Sequence, residues 1–129
     1  MQENFKVYVS CMTYNQSAYI CDAFDGFCMQ ITNFPFICGI IDDCSTDGEE
    51  EIIQSYLRKN FVLDDKDRVL NEETDDYVLT FAQHKKNYNC FFLVLFLKYN
   101  HYKKKSKVPY VKRWYDTTKY VAVCEGDDF

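Results

Sequence analysis

The feature that most constrains the fold is an uninterrupted apolar run that stops at two carboxylates. Residues 36–41 (FICGII) carry no polar or charged side chain, and Asp42 and Asp43 follow at once. Short apolar runs without alternation are typical of strands buried on both faces, as in parallel sheets covered by helices. The run therefore predicts a central strand whose carboxyl end lies at Asp42.

Helical patterns separate this strand from other strand candidates. Residues 5–12 and 120–124 are rich in β-branched and aromatic side chains, which favours strands. Behind Ser17 as N-cap, apolar residues recur at helical spacing. The predicted apolar stripe of this first helix is Ile20, Phe24, Phe27 and Ile31.

A second helix is predicted after the carboxylate pair. Capping-box spacing occurs twice, as Thr46 with Glu49 and as Asp47 with Glu50. The order strand, helix, strand, helix, strand predicts an α/β fold with three layers, α/β/α, and a mostly parallel, Rossmann-like sheet. The predicted buried face of the second helix is Ile52, Ile53, Tyr56 and Leu57.

The middle of the chain has weaker patterns. Residues 61–76 are acidic and are predicted to be irregular, and residues 77–81 predict a third strand. The secondary structure of residues 87–102 is ambiguous, and one option is a helix that carries residues 91–97. The Lys-rich residues 103–113 are predicted to be loop or exposed surface.

Composition excludes several classes of protein. The 129 residues fit one domain, and the longest apolar run, residues 91–97, is far shorter than the about 20 residues of a membrane-spanning helix. The first residues lack the features of a signal peptide, so we expect a cytoplasmic protein. Seven cysteines without C-x-x-C spacing predict reduced, buried thiols rather than a zinc site or disulfides.

The charge is unevenly distributed along the chain. The net charge is -5, but residues 1–76 carry -11 and residues 77–129 carry +6. The basic residues 103–113 predict contact with an anionic partner, such as lipid head groups at the inner face of the membrane or an anionic glycan. A solvated loop is the alternative for this stretch.

Polar clusters follow three of the predicted strands. Residues 13–15, the Asp42–Asp43 pair and residues 125–128 each begin where a strand candidate ends. In a parallel sheet these points meet at the carboxyl edge, where open α/β sheets bind ligands. Carboxylates gathered there favour a divalent cation, and Mg²⁺ or Mn²⁺ usually also takes phosphate oxygens.

Three segments together carry a family resemblance: residues 7–15 (VYVSCMTYN), 40–48 (IIDDCSTDG) and 121–129 (VAVCEGDDF). In this order they resemble family-2 glycosyltransferases of the GT-A fold, above all bacterial members with the metal motif C-E-G-D-D. The resemblance implies that the nucleotide-binding residues are Thr13, Tyr14, Asn15, Asp42 and Asp43. It also implies that a Mn²⁺ or Mg²⁺ ion is held by Asp127 as the main ligand, with Glu125 and Asp128.

The resemblance implies an activity as well. Such an inverting enzyme moves the sugar of a nucleotide-diphosphate donor, here a UDP-sugar, to a hydroxyl of a glycan or lipid-linked acceptor. The expected role is surface polysaccharide or glycoconjugate synthesis, without nucleic acid. Met12 replaces a Pro of many relatives, and Glu125 replaces the first Asp of the metal motif. The long distance from Asp43 to Glu125 predicts an insertion within residues 60–113.

The resemblance also bears on the extent of the domain. It implies that the acceptor half and the catalytic base lie beyond Phe129. We therefore expect residues 1–129 to be an N-terminal, donor-binding part that does not transfer sugar alone. An uncovered sheet edge would favour self-association, because edge strands pair with other chains.

Other functions make different demands on the sequence. A sugar nucleotidyltransferase needs a glycine-rich loop after its first strand to hold triphosphate, and residues 13–17 contain no Gly. A response-regulator receiver carries its acidic pair after the first strand, whereas Asp42 and Asp43 follow the second. A non-catalytic nucleotide-binding module remains an alternative.

Overall fold

The fold is an α/β sheet, seen in a computed structural model that describes residues 5–99, 108–115, 118 and 120–125. Within these ranges, no helix is both long and apolar enough to cross a lipid bilayer. The elements in chain order are β1 (Val7–Thr13), α1 (Ile20–Cys28), β2 (Phe36–Asp42), α2 (Glu49–Asn60), β3 (Val69–Glu73), β4 (Tyr77–Gln83), β5 (Cys90–Leu97), α3 (Val108–Tyr115) and β6 (Tyr120–Glu125).

These strands form one sheet in the order β3-β4-β5-β2-β1-β6. Strands β5, β2, β1 and β6 are parallel to one another, whereas β4 is antiparallel to both of its neighbours. The predicted α/β class with a mostly parallel, Rossmann-type sheet is therefore confirmed. The parallel part of the sheet places the carboxyl ends of β1, β2 and β6 next to each other.

Helices cover both faces of the sheet. On one face α1 and α2 bury a cluster in which the rings of Phe24 and Phe92 lie 5.2 Å apart. On the other face α3 packs through Val111 and Trp114, and the Trp114 ring lies 5.8 Å from Phe81. The predicted three layers are therefore present in the described residues.

Residues 91–97 belong to the central strand β5, so the helix considered for them is wrong. Every residue of β5 is buried, because β2 and β4 flank the strand and helices cover its two faces. Burial on both faces removes the alternation that distinguishes a strand from a buried helix. Periodicity could therefore not assign this segment.

The prediction that residues 61–76 are irregular is also wrong, because they contain β3. Its acidic residues are neutralised by residues far away in the chain. Glu72 accepts two bonds of 2.7 Å from the Arg113 guanidinium of α3, and this contact lowers the pKa of Glu72. Glu73 forms an ion pair of 2.8 Å with Lys98.

Residues 60–113, predicted to hold an insertion, supply β3, β4, β5 and most of α3 to the common sheet and its cover. The loop predicted for residues 103–113 is corrected in part, because α3 begins at Val108. Docking of its apolar side on the sheet favours the helix there. Residues 103–107 lie outside the described part of the chain.

The first helix differs from its predicted bounds. Its N-cap is Tyr19 rather than Ser17, and no side chain caps it. It ends at Cys28, so Ile31 is 98% exposed instead of lying on the buried stripe. The residues after Cys28 form the connection to β2, which takes Ile31 away from the sheet.

The second helix begins with an unusual backbone turn. Its N-cap Gly48 has φ 85, in the left-handed region that glycine adopts without steric cost. Neither predicted capping box forms: Asp47 Oδ1 accepts the Glu49 N–H at 3.2 Å, and the Glu49 side chain turns into the protein. The predicted apolar face is confirmed, with Ile53 and Leu57 buried and Ile52 and Tyr56 packed beside them.

Gly39 of β2 makes room for a tyrosine ring on β1. A Cβ atom at Gly39 would lie 1.8 Å from the Tyr8 hydroxyl oxygen and 2.3 Å from Cζ of the ring. Tyr8 is 1% exposed, so its ring has no open space to move into. Close packing, rather than backbone conformation, therefore requires glycine at this position.

We expect Gly39→Ala to lower the free energy of unfolding by about 1–3 kcal/mol, the usual cost of overpacking a core. Urea denaturation followed by circular dichroism measures the change. Tyr8→Leu supplies the control background, in which Gly39→Ala should cost much less. An equal cost in both backgrounds would show that the ring contact is not the cause.

Candidate functional site

The carboxyl ends of three parallel strands meet at one edge of the sheet. Thr13 of β1 is paired with Asp42 of β2, and the Asp43 N–H donates to the Thr13 carbonyl oxygen at 3.0 Å. On the other side of β1, Met12 is paired with Glu125 of β6. The structure therefore brings together the backbones of all three strand ends that precede the predicted polar clusters.

The loops that leave β1 and β2 are joined by hydrogen bonds. The Asn15 N–H donates to Ser45 Oγ at 2.9 Å, and the Asn15 side-chain oxygen accepts the Thr46 N–H at 2.7 Å. The Ser17 N–H donates to Asp47 Oδ2 at 3.0 Å. The β1–α1 loop (residues 14–19) and the β2–α2 loop (residues 43–48) therefore form one surface.

The predicted nucleotide-binding residues differ in their access to solvent. Tyr14 is 44% exposed, and Asn15 is also exposed at the surface of the joined loops. Thr13, Asp42 and Asp43 are nearly enclosed beneath them. Tyr14 and Asn15 therefore lie at the surface of the site, whereas Thr13, Asp42 and Asp43 form its floor.

Asp42 is an unusual carboxyl because it is enclosed at the end of β2. Burial raises the pKa of Asp42 to about 7, and the nearby Glu49 carboxyl adds to the increase. Ser45 acts in the opposite direction, since its hydroxyl and its N–H both donate to Asp42 Oδ1. Asp42 therefore holds a proton at pH values where an exposed aspartate is ionised.

Glu49 is the site residue that the sequence analysis missed. It is fully buried and accepts a hydrogen bond of 2.8 Å from Thr13 Oγ1. A signal for its burial was present, because Glu49 lies four residues before Ile53 and eight before Leu57. On a helix this spacing places all three on one face, the face that packs on the sheet.

The expected metal ligands fall mostly outside the described residues. Among the residues that the structure describes, no three His, Cys, Asp or Glu side chains are grouped so that they could hold a metal ion. Asp127 and Asp128 lie beyond these residues, and of Glu125 only the backbone is described. Their assignment as ligands therefore stays a prediction.

The raised pKa of Asp42 predicts a pH-dependent stability. The folded chain binds this proton more tightly than the unfolded chain, whose aspartate has a pKa of about 3.8. The contribution of Asp42 therefore becomes less favourable as pH rises from about 4 to about 7. Asp42→Asn resembles the protonated form. Over that pH range, the free energy of unfolding of the variant should therefore rise by roughly 2–4 kcal/mol relative to that of the parent.

Chemical denaturation of parent and variant at pH 4.5, 6 and 8 measures this difference. Titratable groups that do not interact with Asp42 contribute equally to both proteins and cancel in the comparison. Asp67→Asn, an exposed aspartate before β3, is the matched control and should show no such trend. A difference between Asp42→Asn and parent that does not change with pH would contradict the assignment.

Comparison with known proteins covers the part of the chain that builds these loops. The family model described as Glycosyl transferase family 2 matches residues 9–75, just over half of the chain. Uncharacterized proteins of Mycobacterium bovis and of two strains of Mycobacterium tuberculosis are each 49% identical over 48 residues, which cover 37% of this chain and 14% of each relative. No solved structure gives a significant match. The matched residues include both loops of the site, and the chain belongs to glycosyl transferase family 2.

Proposed function

We propose that this chain binds a nucleotide-diphosphate sugar, of the uridine type, together with a divalent metal ion. The whole enzyme would transfer the sugar to an acceptor hydroxyl. A glycosyltransferase-type function follows from the family, which also favours this reaction over the nucleotidyltransferase alternative. The observation that carries the finer proposal is the meeting of the β1, β2 and β6 carboxyl ends at one edge.

The nucleotide is proposed to lie on the joined loops. The exposed Tyr14 ring offers an apolar face for the base, and Asn15 offers a polar side chain beside it. Asp43 and Asp42, which follow the central strand, are proposed to hold the base and ribose from the floor of the site together with Thr13. The exposure of Tyr14 and Asn15 supports their part of this assignment, whereas the part of the enclosed residues comes from the family resemblance.

The metal ion is proposed to bind Asp127, with Glu125 and Asp128 as further ligands. Their carboxylates suit Mg²⁺ or Mn²⁺, which prefer oxygen donors, and β6 leads into this motif beside Met12. When bound, such an ion stabilises the negative charge of a departing diphosphate. Asp42 is not proposed as a ligand, because its enclosed carboxyl retains a proton and already accepts bonds from Ser45.

The remaining parts of the proposal concern the course of the reaction and the role of the whole protein, and they come from the family resemblance. The inverting course, a general base beyond Phe129 and the inactivity of residues 1–129 alone remain predictions. The chain spans about one seventh of the length of the curated relatives it matches, so the acceptor and the role in surface polysaccharide or glycoconjugate synthesis are proposals for the whole protein.

The location of the protein and its self-association are also proposals, and they rest on its charge and on an edge strand of the sheet. A cytoplasmic protein that touches the inner face of the membrane would use the basic residues 103–113. Self-association would use β6, which lies at the end of the described sheet with Val123 77% exposed.

Calorimetric titration with UDP, with and without Mn²⁺, tests the metal-dependent binding. We expect Mn²⁺ to strengthen UDP binding and Asp127→Asn to remove about tenfold or more of that gain, because a charged oxygen ligand is lost. The exposed Asp67 again provides a matched control, since Asp67→Asn makes the same change away from the site. Equal responses of parent and Asp127→Asn to Mn²⁺ would rule out Asp127 as the main ligand.

Substitution of Tyr14 tests the proposed base contact. Stacking of a base on an aromatic ring contributes about 1–3 kcal/mol, so Tyr14→Ala should weaken UDP binding roughly tenfold, whereas Tyr14→Phe should bind nearly as well as the parent. Tyr88→Ala changes a tyrosine that is 67% exposed near the amino end of β5, and it should leave the affinity unchanged. Equal affinity of Tyr14→Ala and parent would place the base elsewhere.

A further inference from the structure

Glu49 is fully buried although it lies in the first turn of a helix. Acidic residues in a first turn are usually exposed, where they interact favourably with the helix dipole. The next two residues, Glu50 and Glu51, follow this rule and face solvent. The helix dipole alone therefore does not account for the position of the Glu49 side chain.

The Glu49 carboxyl joins the two loops of the site. Its Oε1 atom accepts the Thr13 hydroxyl at 2.8 Å and the Gln16 N–H at 2.7 Å. Its Oε2 atom accepts the Ser45 hydroxyl at 3.1 Å. Thr13 and Gln16 belong to β1 and the loop behind it, whereas Ser45 belongs to the loop behind β2. A single side chain thus holds both loops from below.

The loop above Glu49 has a specific backbone conformation that Ser45 and Glu49 help to fix. Asn15 has φ 53, in the left-handed region, which asparagine adopts more readily than most other non-glycine residues. Its N–H is held by Ser45, the same residue that donates to Glu49. The contacts of Glu49 are therefore linked through Ser45 to the backbone of Asn15, the residue beside Tyr14.

The buried Glu49 carboxyl is accommodated by hydrogen-bond donors and by its neighbour Asp42. The donors to Glu49 are the Thr13 hydroxyl, the Gln16 amide and the Ser45 hydroxyl, whose single hydrogen is shared between Glu49 and Asp42. The Asp42 carboxyl lies close enough that Glu49 raises its pKa. A proton held by Asp42 reduces the cost of burying the two acidic groups together. The arrangement is therefore compatible with full burial at neutral pH.

We infer that Glu49 is a positioning residue, which fixes the β1–α1 loop against the β2–α2 loop and so holds Tyr14 and Asn15 where the nucleotide is proposed to bind. The choice of ligand rests on the proposed function, whereas the ordering of the loop does not. Glu49 itself makes no proposed contact with the nucleotide.

The first measurement is the affinity for UDP with Mn²⁺. Glu49→Ala should weaken binding by about tenfold or more, because Tyr14 and Asn15 lose the support that orders them and the ligand must then order the loop. Glu49→Gln should stay within about threefold of the parent, since the amide oxygen can still accept from Thr13 and Gln16. Glu51→Ala, an exposed glutamate in the same turn, is the control and should bind as the parent does.

The second measurement is amide hydrogen exchange at Asn15 and Gln16 without ligand. Exchange at both should be faster in Glu49→Ala and unchanged in Glu49→Gln and Glu51→Ala. If Glu49→Ala does not fold, Glu49→Met replaces it, because methionine fills similar volume without an acceptor and should show the same faster exchange.

The two readouts separate the possible failures. Faster exchange in Glu49→Ala or Glu49→Met, with no UDP binding by the parent, would support the positioning role and overturn the proposed ligand. Unchanged exchange in the folded variant would overturn the positioning role, whatever the affinity. Weaker binding by Glu49→Gln equal to that of the alanine variant would also overturn it, since the charge and not the loop contact would then matter.

Discussion

Enclosure of the central strands β2 and β5 on both faces is the constraint on which the rest of the structure depends. Both strands are fully buried along their length, so their apolar side chains leave no place for polar groups until the strands end. At the end of β2 the polar residues Asp42 and Asp43 appear together, still inside the protein. Their hydrogen-bonding capacity must be satisfied locally, because an unpaired buried polar group is costly. The joined loops supply those partners.

The parts of the fold that could be predicted are those with local signals. The uninterrupted apolar run predicted β2, and the helical spacing predicted the buried face of α2. β3 could not be predicted, because Glu72 and Glu73 resemble a solvated acidic segment until Arg113 and Lys98 are placed beside them. Such pairing depends on residues 25 and 41 positions away in the chain. Local patterns contain no information about it.

In the candidate site, too, some features have a local sequence signal and others depend on tertiary packing. The positions of Thr13, Asp42 and Asp43 at one edge follow from parallel strands, and the sequence predicted this juxtaposition. The inward turn of Glu49 depends on the left-handed backbone of Gly48, which shifts the helix start by two residues from the first predicted cap. The capping-box spacing predicted that Glu49 pairs with Thr46, whereas the spacing of Glu49 to Ile53 and Leu57 places it on the buried face. Two valid local rules disagreed, and tertiary packing decided between them.

The pairing of β1 with β6 has a consequence for the order in which the sheet can be assembled. Val7 lies beside Tyr120, which is more than 100 residues later in the chain, whereas its partner on the other side, Phe36, is about 30 residues away. Contacts between distant segments require closure of long loops and therefore form slowly. During synthesis from the N-terminus, β1 and β2 can pair and their loops can join long before β6 exists. Strand β6 thus joins a β1–β2 edge whose loops can already be in place, so the sheet is completed at this edge later than it is begun.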